Sequence, residues 1–350
     1  MKIVQIGNGK AAYIHRLSKP RSFEVVALVV VNVRKHKEKA ASDKTLPANV
    51  LVTDSLKKIF SKFGHDIGWD IVSDDETHFD YVKKILALDR EARIMLGKTP
   101  YDKKIIGKFL KLLGQFPKAK ISVTENYLAS NVTSKIKELM KKYKIKGKEI
   151  VIEFTKNRIK DIENGRYVHK DIGVLGYEGS HMLAILDDLG KKVKKIGQVK
   201  FDDMRLSNGK ILKNQGLCDF DLSGEDFKAK IHCSMNGKVK HKLEFLGVKE
   251  DIPYGDETRF RVVIVGDKDD KKIIGQYDPV PQGRRLQGKV FVLDGGKIVE
   301  EIDEIQDNTL KIVLEKQIDA FRGKYSDPFP LEKARNYSIL EDVYKKANWR

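Results

Sequence analysis

Three side chains in this sequence have the type and the surroundings for acid–base chemistry: Lys98, Tyr177 and His181. His181 ends the stretch Gly176-Tyr177-Glu178-Gly179-Ser180-His181. An imidazole titrates near neutral pH, so it can take a proton from a hydroxyl and return it. If this stretch opens a helix, Tyr177 stands one turn before His181 on the same face. A phenol whose pKa is lowered by a nearby cation can donate a proton. Tyr177 therefore relays a proton, hydrogen-bonds a substrate hydroxyl, or packs. Lys98 follows the run Ile94-Met95-Leu96, which places its ammonium at the carboxyl end of a strand, where ligands bind in open α/β sheets.

Such groups need a frame that holds them, and the chain opens with one. Ile3, Val4 and Ile6 form a short apolar strand, Gly7-Asn8-Gly9-Lys10-Ala11-Ala12 reads G-x-G-x-x-A, and a helical stretch runs from about Ala11 to Leu17. This is the strand, tight turn and helix of a dinucleotide fold. Gly7 permits the turn, Gly9 leaves the pyrophosphate unobstructed, Ala12 allows close packing, and the helix start offers N–H groups to phosphates. A second strand spans about Phe23 to Val31. An acid at its end would hold ribose hydroxyls, but Val31 and Asn32 stand there, followed by Arg34 and Lys35. Arginine attracts a 2′-phosphate, so the residues lean towards NADP. NAD binding through Asn32 remains open, as does a reading of Arg34 and Lys35 as solvated loop residues.

Strands and helices continue to alternate to about Tyr127, which implies a parallel, doubly wound sheet. From about Glu149 strands follow one another with few helices between them. That implies a largely antiparallel open sheet, with Lys240 to Val248 as one of its strands and an amphipathic helix closing the chain. The expected fold is thus α/β: a Rossmann domain over 1–127, then an α+β domain over 128–350 with a large, mainly antiparallel sheet and a helix at about 331–348.

Composition narrows the function. The 350 residues carry a formal net charge of +18, which concentrates anions near the surface. The densest basic runs, Lys35-His36-Lys37-Glu38-Lys39 and Lys141 to Lys148, hold a single aromatic between them, Tyr143, and so lack the interleaved aromatics suited to stacking successive bases. Most of the lysine reads as a solvated face, with no nucleic-acid partner. No apolar run approaches the ~20 residues that cross a bilayer, and the first residues lack a signal-peptide layout, so no membrane partner and a cytoplasmic location are expected. Cys218 and Cys233 fit buried free thiols, and His15, His65, His169 and His232 have no metal-ligand spacing. No metal is expected.

Four segments together resemble the glucose-fructose oxidoreductase / inositol dehydrogenase / rhizopine-catabolism (Gfo/Idh/MocA) family. They are the G-x-G-x-x-A run; Asp70 to Val82, with the turn Ser73-Asp74-Asp75 and then His78; Ile94 to Lys104, whose Lys98 matches the lysine of the family's E-K-P; and Gly173 to Leu183, whose Gly179 and His181 match the end of D-x-G-x-H. The departures are Gly97 for the glutamate, Thr99 for the proline, Asp74 for the proline of the turn, and Tyr177 for the aspartate. Glu178 fills the carboxylate's role only by a one-residue shift, and adjacent helix positions point about 100° apart.

The resemblance implies an NAD(P)-dependent oxidoreductase that moves a hydride between the nicotinamide and a secondary alcohol or ketone of a sugar or sugar phosphate. Glucose 6-phosphate 3-dehydrogenase-like activity is one candidate. Lys98, His181 and Tyr177 are then the catalytic candidates. Cofactor contacts fall on Gly7, Asn8, Gly9, Lys10, Ala12, Asn32, Arg34, Ser73, Asp75, His78, Lys98 and Asn126, although a structural role for His78 stays open. Substrate contacts fall on Lys98, Lys156, Arg158, Arg166, Tyr177 and His181, with Arg284-Arg285 a second basic cluster, and these basic residues fit an anionic substrate. The second domain would join copies into a homodimer or homotetramer. Two other readings stand beside this one: a nucleotide-binding regulator or scaffold that has lost catalysis, and a nucleic-acid-binding protein motivated by charge alone.

Overall fold

The computed structural model describes residues 1–166, 168, 171–248, 250–255, 259–267, 270–277 and 286–348. Arg284-Arg285 and His169 lie outside them. The chain divides into two compact units, Met1–Asn126 with Leu310–Ser338, and Tyr127–Thr309 with Ile339–Arg350.

The first unit alternates β1 (Lys2–Ile6), α1 (Lys10–Ser18), β2 (Glu24–Val29), α2 (Val33–Ser42), β3 (Leu51–Thr53), α3 (Leu56–Phe63), β4 (Ile67–Ile71), α4 (Asp75–Leu88), β5 (Arg93–Leu96), α5 (Lys103–Gln115) and β6 (Lys120–Val123). The six strands are parallel, in the order β3-β2-β1-β4-β5-β6. This is the doubly wound Rossmann order, and it reverses between β1 and β4. Helices cover both faces, so the strands are apolar almost throughout. Val4, Ile6, Trp69 and Ile71 pack with Ile85 and Phe109 in one core layer. The second strand stops at Val29, short of the expected Val31. The Asn32 side chain accepts a hydrogen bond from the Lys35 N–H and starts α2 where the sequence suggests loop.

The second unit contains α6 (Asn131–Lys142), β7 (Glu149–Lys156), α7 (Ile159–Glu163), α8 (Leu175–Asp188), β8 (Lys195–Arg205), β9 (Ile211–Ser223), β10 (Lys228–Ser234), β11 (Arg259–Gly266), β12 (Lys272–Gln276), β13 (Gln287–Asp294) and β14 (Lys297–Gln306). Its eight-stranded sheet runs β14-β13-β12-β11-β7-β10-β9-β8. Only the β7–β10 pair is parallel, because those two strands are joined through helices and a hairpin rather than a single turn. Helix α6 packs on β12 and β13, and α8 on β7 and β10.

Lys240 to Val248 forms no strand; it holds a 3-10 turn at Glu244–Leu246. Its Lys240 and His241 N–H groups donate to the buried Glu153 carboxylate at 2.9 and 2.8 Å, so a side chain takes the backbone donors that a ladder would use.

After β14, α9 (Thr309–Phe321) returns to the first unit. Leu310, Leu314, Ile318 and Phe321 pack there against Ile3, Phe23, Val25 and Leu28. The single helix expected at 331–348 is a 3-10 turn (Leu331–Lys333), α10 (Ala334–Tyr337) and α11 (Ile339–Asn348). The break falls at Ser338 because Leu331 and Ala334 belong to the core of the first unit, whereas Leu340 packs on α8 of the second. Among the described residues no helix is long and apolar enough to cross a membrane.

Candidate functional site

In the first unit the carboxyl ends of the strands bring most of the predicted cofactor residues to one edge. Gly7 follows β1 with φ +100°, and its N–H donates to Val29 O at 3.0 Å. A Cβ there would stand 3.0 Å from the Ser73 nitrogen, so both conformation and space demand glycine. Gly9 precedes α1 without a side-chain cap, and no described atom lies within 4 Å of where its Cβ would be. The first turn of α1 is therefore open to an anion. Ala12 is fully buried against the sheet, and Lys10 is exposed.

Asn8 has a structural task instead. Its side-chain oxygen accepts from Arg16 at 3.1 Å, and its carbonyl accepts from Lys39 Nζ at 3.0 Å. Arg16, only 2% exposed, also pairs with Asp43 at 2.7 Å. Beside it the buried Asp70 accepts from Gln5 at 2.8 Å and lies 3.1 Å from His15. This polar network, absent from the sequence-based candidates, fastens the glycine turn from beneath. At the end of β2, Asn32 is committed to capping α2, and Arg34 and Lys35 are exposed.

The turn after β4 is held by His78. Its Nε2 lies 2.9 Å from Ser73 O, and a carbonyl only accepts, so Nε2 carries the proton. Burial lowers the His78 pKa, which keeps the ring neutral. Asp75 opens α4 and pairs with Lys98 Nζ at 2.9 Å, both side chains being partly exposed. Gly97, in place of the expected glutamate, has no room for a side chain: a Cβ would meet Val72 Cγ1 at 2.6 Å and Ile71 O at 2.8 Å. Thr99 donates instead to Glu125 at 3.2 Å. Glu125, 1% exposed, is a buried carboxylate at the end of β6 that sequence reasoning missed, although an acid closing an apolar run was the available signal. Asn126, next to it, is partly exposed.

In the second unit the glycine-rich segment becomes α8. Gly173 has φ +57°, and a Cβ there would lie 2.3 Å from Asn214 O; a Cβ at Gly179 meets Leu340 at 3.0 Å. Both glycines serve close packing of α8. His181, partly exposed, has its ring 5.2 Å from that of Tyr127. Tyr177 is half-buried, with the Arg166 guanidinium 5.7 Å from its ring. Glu178 lies one turn from His181 and is 5% exposed. Burial raises its pKa, but the Arg261 guanidinium at 2.8 Å, helped by His181, Arg259 and Arg158, drives it down to about 2. Arg261 also donates to the Tyr127 hydroxyl at 2.6 Å.

Lys156 ends β7 beside these groups, and Arg259 of β11 is its cross-strand partner. Burial, reinforced by Arg259 and Arg158, lowers the Lys156 pKa to about 7. Arg158 pairs with Asp161 at 2.5 Å, and Arg166 lies 3.9 Å from the same carboxylate. The structure thus gathers Lys156, Arg158, Arg166, Tyr177 and His181 in one unit and adds Glu178, Arg259 and Arg261. The signal for the two arginines was their R-x-R spacing, which puts both on one face of a strand.

Elsewhere, His15 and His232 are buried core residues and His65 is exposed. Cys218 and Cys233 are free and buried. Among the described residues no His/Cys/Asp/Glu group is placed to hold a metal ion.

The architecture is shared with solved oxidoreductases. One, described as an NADPH-dependent oxidoreductase from Desulfitobacterium hafniense, is similar with a TM-score of 0.77 at 12% identity, covering 99% of this chain and 95% of that one. An oxidoreductase from Agrobacterium radiobacter in complex with NAD+, L-tartaric acid and magnesium is similar with a TM-score of 0.74 at 13% identity, covering 100% and 97%. A 3-ketoreductase from Actinomadura kijaniata in complex with TDP-benzene and NADP gives 0.71 at 10% identity, covering 99% and 97%. At these identities the likeness is one of fold. No family model and no curated protein matches the sequence.

Proposed function

We propose that the protein is an NAD(P)-dependent oxidoreductase of the Gfo/Idh/MocA type, acting on a secondary alcohol or ketone of a sugar-type substrate. The observation that carries this is the glycine turn at the switch point of the parallel sheet, with open space before Gly9. Likeness in fold to proteins solved with NAD+ and with NADP supports it.

The first unit fits the cofactor. Gly9 and the N-terminus of α1 suit the pyrophosphate, Ser73 and Lys98 stand at the strand ends that follow, and exposed Arg34 suits a 2′-phosphate, which favours NADP. When bound, the nicotinamide supplies the hydride acceptor or donor. The chain's own groups manage the proton. His181, partly exposed on α8, is assigned to take it from the substrate hydroxyl and return it in reverse. Glu178 and Tyr127 fix the surroundings of the imidazole. Lys98 is assigned to anchor a substrate oxygen, and Tyr177 to hydrogen-bond a second hydroxyl. The reading includes self-association through the eight-stranded sheet, for which sedimentation should give a dimer or tetramer mass.

The test follows the reduced-nicotinamide absorbance band with NAD and NADP across sugars and sugar phosphates. His181→Ala should lower kcat by about a hundredfold or more while cofactor affinity stays within about twofold. Near-normal turnover by that variant would refute the assignment. Cofactor binding without turnover on any substrate would point to the regulator.

A further inference from the structure

We propose that the second unit carries a built site for a dianionic group, a phosphate monoester on the substrate, formed by Arg259, Arg158 and Lys156 with Arg166 at its rim. The proposal rests on the oxidoreductase reading only in calling the ligand a substrate.

Residues two apart on a strand share a face. Phe154, Lys156 and Arg158 therefore line up along β7 and just past its end. Antiparallel pairing sets Arg261 opposite Phe154 and Arg259 opposite Lys156. Directly opposite residues project to the same side, so the pairing gathers these cations. The Arg261 guanidinium lies 5.0 Å from the Phe154 ring centroid and spends its charge on Glu178. Arg158 spends part of its charge on Asp161.

Among the described residues, Lys156, Arg158, Arg166, Arg259 and Arg261 face two carboxylates, Asp161 and Glu178. Lys156 and Arg158 are 3% and 8% exposed. The Nε atoms of Arg158 and Arg259 are buried without a hydrogen-bond partner. Among the described residues the Arg259 side chain forms no hydrogen bond or ion pair. Holding the Arg259 guanidinium out of water among other cations and without a partner is costly, and a fold that keeps it there has a use for it. A phosphate monoester matches it: two negative charges, and oxygens that accept the parallel N–H pairs of guanidinium. A single carboxylate would leave charge over. Arg259, Arg166, Tyr177 and His181 are all partly exposed, so the cluster is not sealed from solvent.

The test uses the full chain in two arms. Calorimetric titration with inorganic phosphate should show binding that Arg259→Met weakens by about 10- to 100-fold and that the rim variant Arg166→Gln weakens less. The phosphate-free melting temperature of Arg259→Met should equal or exceed that of the parent, because an uncompensated charge is gone; a purely structural arginine would give a fall. In the second arm, pentose and hexose monophosphates are compared with their unphosphorylated parents in the nicotinamide assay. The phosphorylated members should be preferred by about 100-fold in kcat/KM, and Arg259→Met should erase the preference through KM. Unchanged phosphate affinity in both variants, or equal kcat/KM with and without the phosphate, overturns the site. Sugar-phosphate binding lost in Arg259→Met but with no hydride transfer keeps the site and removes the oxidoreductase reading.

Discussion

Replacing Glu178 by glutamine leaves the Arg261 guanidinium without the carboxylate that faces it at 2.8 Å. In the folded protein that carboxyl sits at about 2, well below the ordinary 4.5 of a glutamate, because Arg261 outweighs the effect of burial. The difference corresponds to about 3 kcal/mol of preference for the ionised form. Breaking a buried pair from one side costs about 3–5 kcal/mol, so two independent routes agree. The sign follows from the direction of the shift. A carboxyl with a lowered folded pKa stabilises above its unfolded value, and that stability is lost as pH falls from about 4.5 towards 2. Urea denaturation of parent and Glu178→Gln should therefore differ by about 3 kcal/mol at pH 7, with the gap narrowing below pH 4.5. A gap that stays constant to pH 3 would show that the loss is one of packing, and would refute the electrostatic account of α8.

Gly97→Glu, which restores the residue expected from the family resemblance, should lower stability by about 1–3 kcal/mol, because its Cβ has no room beside Val72 and Ile71 O; an unchanged denaturation midpoint would contradict this. Phosphate affinity should fall by up to about tenfold per pH unit above pH 7. Burial, reinforced by Arg259 and Arg158, holds Lys156 near 7 against the pull of Asp161 and Glu178, so it must take up a proton as the dianion binds. Lys156→Met should flatten that pH profile in calorimetry. Arg34→Ala should raise KM for NADP by about tenfold and leave NAD nearly unaffected, since exposed Arg34 at the start of α2 has no other task; equal effects on both cofactors would remove the 2′-phosphate assignment.

The Rossmann half is legible because its signals are local. Gly7, Gly9 and Ala12 lie within one turn, and each strand-helix step shows its own periodicity. The basic cluster is not legible, because its members meet through sheet register. Lys156 and Arg158 lie near the middle of the sequence, and nothing local says that Arg259 pairs opposite Lys156. Glu178 is hidden for a related reason. Helical geometry alone puts it about 100° from Tyr177, which makes it a poor substitute for an aspartate at that position. Only the location of Arg261 on β11 explains why it is the buried acid of α8 while Tyr177 meets Arg166. Helix α9 joins the first core from far along the chain, so its role too is settled by tertiary packing.

The departures around Lys98 become one coherent change when the packing is considered. The backbone of Gly97 donates to Ile71 O at 2.8 Å, and a Cβ there would meet Val72 Cγ1 at 2.6 Å and Ile71 O at 2.8 Å. A carboxylate before the lysine is thereby excluded. Thr99, directly after it, supplies a hydroxyl where the family pattern has proline, and that hydroxyl meets the buried Glu125 at the end of the neighbouring strand. A buried acid thus stands beside Thr99 just past β6, and Asp75 pairs with the Lys98 ammonium. On this account Thr99→Pro should remove the hydrogen bond and leave Glu125 buried with one donor fewer, at a cost of about 1–3 kcal/mol. Thr99→Ser, which keeps the hydroxyl, should be nearly neutral. Equal losses in the two variants would mean that Thr99 matters for its methyl group, and the linked account of Gly97, Thr99 and Glu125 would fail.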